Sequence, residues 1–420
     1  MSVKKNETYI LNPGYRLKKD KKRVILFNRD TDETTSPVKD DFLGNVHPVY
    51  AILFSFFDGQ NTLADVLKKS AALLSMDQEV VLKILSPLIE NKDDLHTDYD
   101  SHHFHFPENL LIKKQENHKV EKYNIEDFFI PKTELDLESW RLYSPIDILL
   151  MINTRCVTDC VYCYAQRDKN INLELPFERM KELIREAKNL SMRSFDMTGG
   201  EYFLYPKWEE LLVELLSNGF IPYISTKSPL SMDTIKKLKN TGLNKIQISL
   251  DSIIEDELIK ILNVGKNYHK EILDTLHNLD KEGFNIYINS QMNSFNSNSD
   301  NIFKMIDHLL NLKNLKRLNV GAAGVSIYRS QDEFLKYRPS LENAKKIEKH
   351  IVKLKEDFGE KISLNFSGYS EKKDYIDCSI EEREENFKKR ARCSANFYAL
   401  VVLPDGKVTI CEAAILFLKN

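Results

Sequence analysis

The sequence predicts an α/β protein: a partial (β/α)6 barrel of the TIM type, with a small winged-helix-like α+β domain before it and a short extension after it. Three observations carry this expectation. From Ile146 onward short apolar strands alternate with amphipathic helices, polar side chains gather where those strands end, and the N-terminal stretch reads instead as a β-hairpin followed by three helices. The expected divisions are a first domain at 1–100, a connector at 101–143, the barrel at 144–335 and a C-terminal helix and extension at 336–420.

Composition sets the outer limits. The chain has 420 residues, enough for two or three domains, and 42% hydrophobic with 29% charged residues is ordinary for a globular protein. A net charge of -3 gives no general attraction to nucleic acid or to an anionic membrane, so neither is an expected partner. The apolar run Ala51 to Phe57 is far too short to span a bilayer, and the opening MSVKKNETY lacks the apolar core of a secretion signal. All six cysteines lie after residue 155, which fits metal binding in a reducing compartment better than a disulfide scaffold. The cytoplasm is the expected location.

In the first domain, Tyr15 to Leu26 reads as two strands joined at Asp20-Lys21-Lys22, and the polar stretch Thr31 to Asn45, with Pro37, as a loop. Val49, Ile52, Leu53 and Phe56 make a helical stripe closed by Asp58-Gly59. Thr62 caps a second helix carrying Leu63, Val66, Leu67 and Ala71. A third begins near Asp77, with Val80, Val81, Ile84, Leu85, Leu88 and Ile89 inward. His102, His103 and His105 invite a metal reading, but they alternate with Phe104 and Phe106 as on a half-exposed strand and are expected to be solvated. Residues 107–143, charged and broken by Pro107 and Pro131, read as a connector over the surface.

The strand pair and AILFSFFDGQNTLADVL resemble the PqqD-like precursor-peptide recognition element of ribosomal peptide (RiPP) pathways, over about residues 10–95. The resemblance implies capture of a leader peptide as an added strand on a sheet edge within Tyr15 to Asn28, facing the helix at Val80 to Ile89. A winged-helix domain with no peptide role is the competing reading.

The barrel strands are expected at 146–153, 194–198, 221–226, 244–250, 285–291 and 316–321, with Phe177 to Leu190 and Trp208 to Leu215 among the helices between them. Alternation at this spacing gives parallel strands, and working residues then sit at their carboxyl ends. The first such end carries Cys156-Val157-Thr158-Asp159-Cys160-Val161-Tyr162-Cys163. Three soft thiolate ligands in one loop can wrap a single metal site. Zinc would want a fourth ligand nearby, and the common zinc modules' combination of a Cys-x2-Cys pair with a His-x3-5-His pair is absent. The next ends carry Thr198-Gly199-Gly200-Glu201, then Ser225-Thr226-Lys227, then Gln247 to Asp251, then Asn289 to Asn293.

Cys-x3-Cys-x2-Cys after the first strand, with Tyr162 before the last cysteine, and Gly-Gly-Glu after the second, resemble the radical S-adenosylmethionine superfamily over about residues 145–330. The resemblance implies a [4Fe–4S] cluster on Cys156, Cys160 and Cys163, with one iron left to chelate the methionine part of S-adenosylmethionine. It places Gly199, Gly200 and Glu201 at the cofactor's amino group, Ser225, Lys227, Ser249 and Asp251 at its ribose and carboxylate, and Tyr162 near its adenine. It also implies an electron donor such as a flavodoxin or ferredoxin. No acid–base catalytic pair is assigned.

Past a long helix from Ser340 to Phe358 lie Cys378, Cys393 and Cys411, the last two framing a hairpin with its turn at Asp405-Gly406. This resembles the opening of the SPASM extension of peptide-modifying members, which implies that the three cysteines hold an auxiliary iron–sulfur cluster. The family pattern continues with a further cysteine-rich stretch, whereas this sequence ends in AAILFLKN. The expected function is a radical peptide maturase making a thioether or carbon–carbon crosslink in a ribosomally made precursor peptide. The alternatives are maturation of a folded protein, as in anaerobic sulfatase maturation, or a peptide-binding protein without turnover.

Overall fold

The computed structural model describes residues 3–29, 42–139, 141–163, 172–324, 331–359, 361–367, 379–389 and 397–409. The chain forms two compact units, residues 1–146 with 190–194, and residues 147–189 with 195–420.

In the first unit, β1 (Tyr9–Leu11), β2 (Tyr15–Asp20), β3 (Arg23–Asn28) and β4 (Leu43–Val46) precede α1 (Pro48–Ser55), α2 (Leu63–Leu74) and α3 (Gln78–Leu85). Then come β5 (Leu95–Tyr99), β6 (His102–Phe106) and β7 (Leu111–Lys113). The β2–β3 hairpin turns where the sequence indicates, with Asp20 opposite Arg23 and Lys21 at φ 58°. Thr62 caps α2 in a reciprocal arrangement: its hydroxyl accepts from the Asp65 N–H, and the Asp65 carboxylate accepts from the Thr62 N–H.

Three expectations need correction. The stretch read as a loop up to Asn45 contributes β4, which pairs antiparallel with β3, so β3 is the central strand of β2-β3-β4 and offers no edge. Leu43 to Val46 is too short and too glycine-containing to show a period. Val80 faces solvent at 46% exposure while Val81 and Leu85 are buried, because an eight-residue α3 presents only one narrow stripe. The connector is part of the first unit. β7 pairs with β1, Phe128 joins the core, and a fully buried Asp20–Arg23 ion pair of 3.0 Å clasps Ser139, Arg141, Tyr143 and Ser144. Asp20 there accepts from the Tyr143 and Ser144 N–H groups, and Arg23 donates to the Ser139 and Arg141 carbonyls.

The histidines of β6 alternate with buried Phe104 and Phe106 as read. His105 reaches Asp94 at 2.8 Å, and His96 stacks on both His103 and His105.

The second unit begins with β8 (Asp147–Met151), α4 (Phe177–Asn189), β9 (Ser194–Thr198), α5 (Trp208–Ser217), β10 (Ser225–Thr226), α6 (Met232–Asn240) and β11 (Lys245–Ser249). It continues with α7 (Glu255–Leu262), α8 (Asn267–Lys281), β12 (Asn285–Met292), α9 (Ser299–Leu310) and β13 (Leu315–Ala322). Last come α10 (Gln331–Tyr337), α11 (Leu341–Phe358), β14 (Ser363–Ser367), α12 (Ile380–Lys389), β15 (Ala399–Val402) and β16 (Val408–Thr409). Strands β10 to β14 form one parallel sheet in sequence order, and a parallel bridge between Met197 and Ile224 leads into it from β9.

The six strands expected from the sequence are β8 to β13; β14 is a seventh, hidden because SLNFS is short and half polar. Apolar side chains such as Ile246, Ile248, Ile286, Ile288, Leu318, Val320 and Leu364 are buried in the unit's core, and the intervening positions carry polar groups. The hairpin at Asp405-Gly406 is present as β15–β16, with Gly406 at φ 82°, and β15 adds in parallel to β8. No described helix is long and apolar enough to cross a membrane.

Candidate functional site

The loop after β8 is held by backbone bonds before any ligand is considered. The Asp159 and Val161 N–H groups donate to the carbonyls of Leu262 and Ile261 at 2.7 and 2.9 Å. Those carbonyls belong to the last turn of α7, where a helix leaves acceptors unsatisfied. Cys163 N–H donates to Cys160 O, which curls the loop so that all three thiols face one cavity. Thr158, nearly buried, bridges two of them: its hydroxyl oxygen lies 3.5 Å from Cys156 Sγ and 3.2 Å from Cys160 Sγ.

The cavity, of about 160 Å³, is lined by Cys156, Cys160 and Cys163 together with Tyr162, Gly199, Gly200, Glu201, Ser225, Lys227 and Ser249. Residues spread over nearly a hundred positions thus converge at the carboxyl ends of four consecutive strands. Gly200 sits at φ 44°, and a Cβ there would overlap the side-chain oxygen of Asn153 and the carbonyl of Arg155. Gly199, at φ 70°, would press a Cβ on Met151. Both glycines are therefore required by positive φ and by close approach of the first loop.

Glu201 is 2% exposed, and burial raises its pKa above the ordinary carboxylate value. It accepts from the Thr226 hydroxyl at 2.7 Å and from the N–H groups of Phe203 and Lys227 at 3.3 Å each. Its side chain ties the glycine turn to β10, and its own carbonyl accepts from Asn153 Nδ2.

Asp251 does not line the cavity. It is fully buried behind it, accepting from Tyr162 Oη at 2.5 Å, Lys227 Nζ at 2.9 Å and the Gln291 N–H at 2.9 Å. Burial, and then the Asp251 charge, push the Tyr162 hydroxyl well above its ordinary pKa, so it stays a neutral donor. Burial opposes the Lys227 charge, but Asp251 and Cys160 outweigh it and hold its pKa above the usual lysine value. Tyr162 and Lys227 are thus positioned by Asp251 rather than joined by it at the cavity wall.

Burial also pushes the Cys160 thiol up, so its thiolate calls for a positive partner such as a metal ion. Among the described residues no three His, Cys, Asp or Glu side chains could hold a single metal ion. Three thiols spread around one cavity fit a polynuclear cluster, in which each sulfur takes a different metal. Cys378, Cys393 and Cys411 lie outside the described residues. Sequence reasoning missed Asn153, Thr158 and Thr226; their position beside the cysteines and at the end of β10 was the available signal.

Residues 150–310 match the family profile described as the Radical SAM superfamily. Over this segment the chain is similar to radical SAM domains. Among curated relatives, the sporulation killing factor maturation protein SkfB of Bacillus subtilis is 23% identical over 274 residues, 64% of this chain and 61% of that protein. The Fe-coproporphyrin III synthase of Methanosarcina barkeri is 32% identical over 144 residues, 34% of this chain and 36% of the synthase. The chain thus spans less than two thirds of either. Among solved structures, SuiB of Streptococcus suis bound to its precursor peptide SuiA superposes with a TM-score of 0.66 at 14% identity. That match covers 98% of this chain and 85% of SuiB and shows a shared fold. The matched segment holds the three-cysteine loop, the glycine turn and all four strand ends that line the cavity.

Proposed function

We propose that the protein is a radical S-adenosylmethionine enzyme that matures a ribosomally made precursor peptide, with a thioether or carbon–carbon crosslink as product. The observation that carries the reading is the convergence of Cys156, Cys160 and Cys163 with the Gly199–Glu201 turn on one cavity. When bound there, a [4Fe–4S] cluster would supply an electron to the sulfonium of S-adenosylmethionine and so deliver a 5′-deoxyadenosyl radical able to take hydrogen from an unactivated carbon. Cys156, Cys160 and Cys163 would hold the cluster. The backbone of Gly199 and Gly200 would approach the cofactor's amino group, Ser225, Lys227 and Ser249 would meet its polar groups, and Asp251 would hold Lys227 and Tyr162 in place. Cys378, Cys393 and Cys411 would serve an auxiliary cluster in a SPASM-like extension, and a flavodoxin or ferredoxin would supply electrons.

The first unit would capture the leader as an added strand. The β2 edge is engaged, since the Leu17 N–H donates to Tyr123 Oη and Arg16 pairs with Glu121. β4 is the better edge. Directly after it, His47, Ile52, Leu74, Tyr99, Phe128 and Leu135 help line a pocket of about 520 Å³, suited to an apolar leader side chain. The name of SkfB, a maturation protein for sporulation killing factor, and the structure of SuiB bound to its precursor peptide support this reading.

The test is anaerobic turnover with a leader-bearing precursor peptide and with its leaderless core. We expect reductive cleavage of the cofactor in both cases and modification only of the leader-bearing peptide. Equal modification of both would favour the sulfatase-maturation type of reading. Peptide binding without 5′-deoxyadenosine would favour binding alone.

A further inference from the structure

The polar face of the β11–β14 sheet carries a feature that the cofactor does not use. Parallel register sets Ser249 opposite Asn289, Asn289 opposite Asn319, and Asn319 opposite Asn365. A second row lies one pleat further toward the carboxyl ends: Gln291, Gly321 and Ser367. A Cβ on Gly321 would meet Ser367 Oγ at 3.2 Å and Gln291 Nε2 at 3.5 Å, so these three share one face. The row starts at Ser249, which lines the cysteine cavity, and runs away from it across three further strands. At about 4.8 Å between strands it extends roughly 14 Å, the length of about four extended residues.

The chemistry of the row is selective. It is uncharged, and its carboxamides each present a planar donor and acceptor. Among the described residues the Asn319 and Gln291 side chains make no hydrogen bond, while Asn289 donates to Tyr223 Oη at 3.4 Å and Asn365 to Ser363 Oγ at 3.1 Å. Nearby charges are withdrawn from it. Asp251 is paired with Lys227, and the Arg317 guanidinium, two residues before Asn319 on β13, lies over the rings of Tyr287 and Tyr223. On this face the Arg317 guanidinium also donates to Tyr223 Oη, so a ligand read by charge would find a cation already engaged rather than an open counter-ion. A chain of backbone amides, each with one donor and one acceptor, fits.

We propose that Asn289, Asn319 and Asn365 seat the backbone of the substrate segment that leads to the cofactor, reading peptide amides rather than side chains. This rests on the peptide reading above and gives its site a substrate class: an extended, locally uncharged segment. Gly321 keeps the second row low enough for a main chain to pass.

The test uses the full chain reconstituted anaerobically with its cofactors. The probe is the blocked peptide acetyl-Gly-Ser-Ala-Gly-Ser-Ala-amide, alongside a copy N-methylated at its central amides, both followed by NMR saturation transfer and titration. We expect the unmethylated peptide to bind, and N-methylation to weaken it at least ~tenfold on the unsubstituted protein, because two or more hydrogen bonds are lost. N319L/N365L should weaken it comparably, and N319Q/N365Q should stay within about threefold. Equal binding of the methylated copy, indifference to the leucine pair, or no binding by the unsubstituted protein would each overturn the proposal. Failure of the maturase reading has a different signature, binding of this kind with no modification of a leader-bearing peptide.

Discussion

Lys227 Nζ lies 2.9 Å from the carboxylate of Asp251, which is itself completely buried. A buried carboxylate that loses its cation keeps its desolvation penalty, whereas losing both charges together costs much less. K227M should therefore lower the unfolding free energy by about 3–5 kcal/mol. K227M/D251N should recover part of that loss, since the amide oxygen that replaces the carboxylate can still accept from the Tyr162 hydroxyl. Denaturant unfolding of the three chains under argon checks this; a double variant no more stable than K227M would contradict it.

Gly200 and Gly219 both have positive φ, but only Gly200 is crowded. G219A should cost about 1 kcal/mol from backbone strain alone. G200A adds overlap with Asn153 and Arg155 and should cost roughly 2–4 kcal/mol, with loss of S-adenosylmethionine binding. Thermal melts paired with cofactor titration separate the two, and equal effects would remove the argument for the glycine turn.

Glu201 titrates against folding. Burial raises its folded pKa, so its contribution is most favourable below the unfolded carboxylate value, near pH ~4.3, and declines as pH rises through the folded value. The stability difference between the native chain and E201Q, measured in the same cofactor state from pH 4 to 7, should shift in favour of E201Q as pH increases. A difference that is flat or grows the other way would show that the carboxylate is not desolvated.

Thr158 offers its hydroxyl to cysteine sulfurs. Hydrogen bonds to cluster ligands stabilise the reduced, more negative state. T158V should bind iron as before and show a lower midpoint potential in anaerobic redox titration. An unchanged potential would mean that the hydroxyl does not touch a ligating sulfur.

Much of this was legible beforehand because the physics is local. Apolar periods of two and of 3.6 mark β8 to β13 and the helices between them, and Asp405-Gly406 marks the last hairpin. Where tertiary partners decide, the sequence is mute. LGNV becomes β4 only because β3 needs a second neighbour, and SLNFS becomes β14 because β13 offers an edge. At the site, cysteines and glycines announce themselves by type and spacing. Asp251 reads as a cofactor contact at a strand end, whereas the structure buries it as the anchor of Lys227 and Tyr162, which arrive from two other loops. Residues 101–143 look like a linker because their bonds are to distant partners, among them the Asp20–Arg23 clasp.

The central claim is that Cys156, Cys160 and Cys163 together hold an iron–sulfur cluster beside a cofactor cavity. The direct measurement is iron content, with electron paramagnetic resonance of the dithionite-reduced protein before and after S-adenosylmethionine, on the native chain and on C156A/C160A/C163A. The account predicts at least about four irons per native chain, about eight with an auxiliary cluster, a signal that changes when the cofactor is added, and loss of about four irons and of that response in the triple variant. Native protein that takes up no iron after anaerobic reconstitution, or a triple variant with undiminished iron and response, would contradict it.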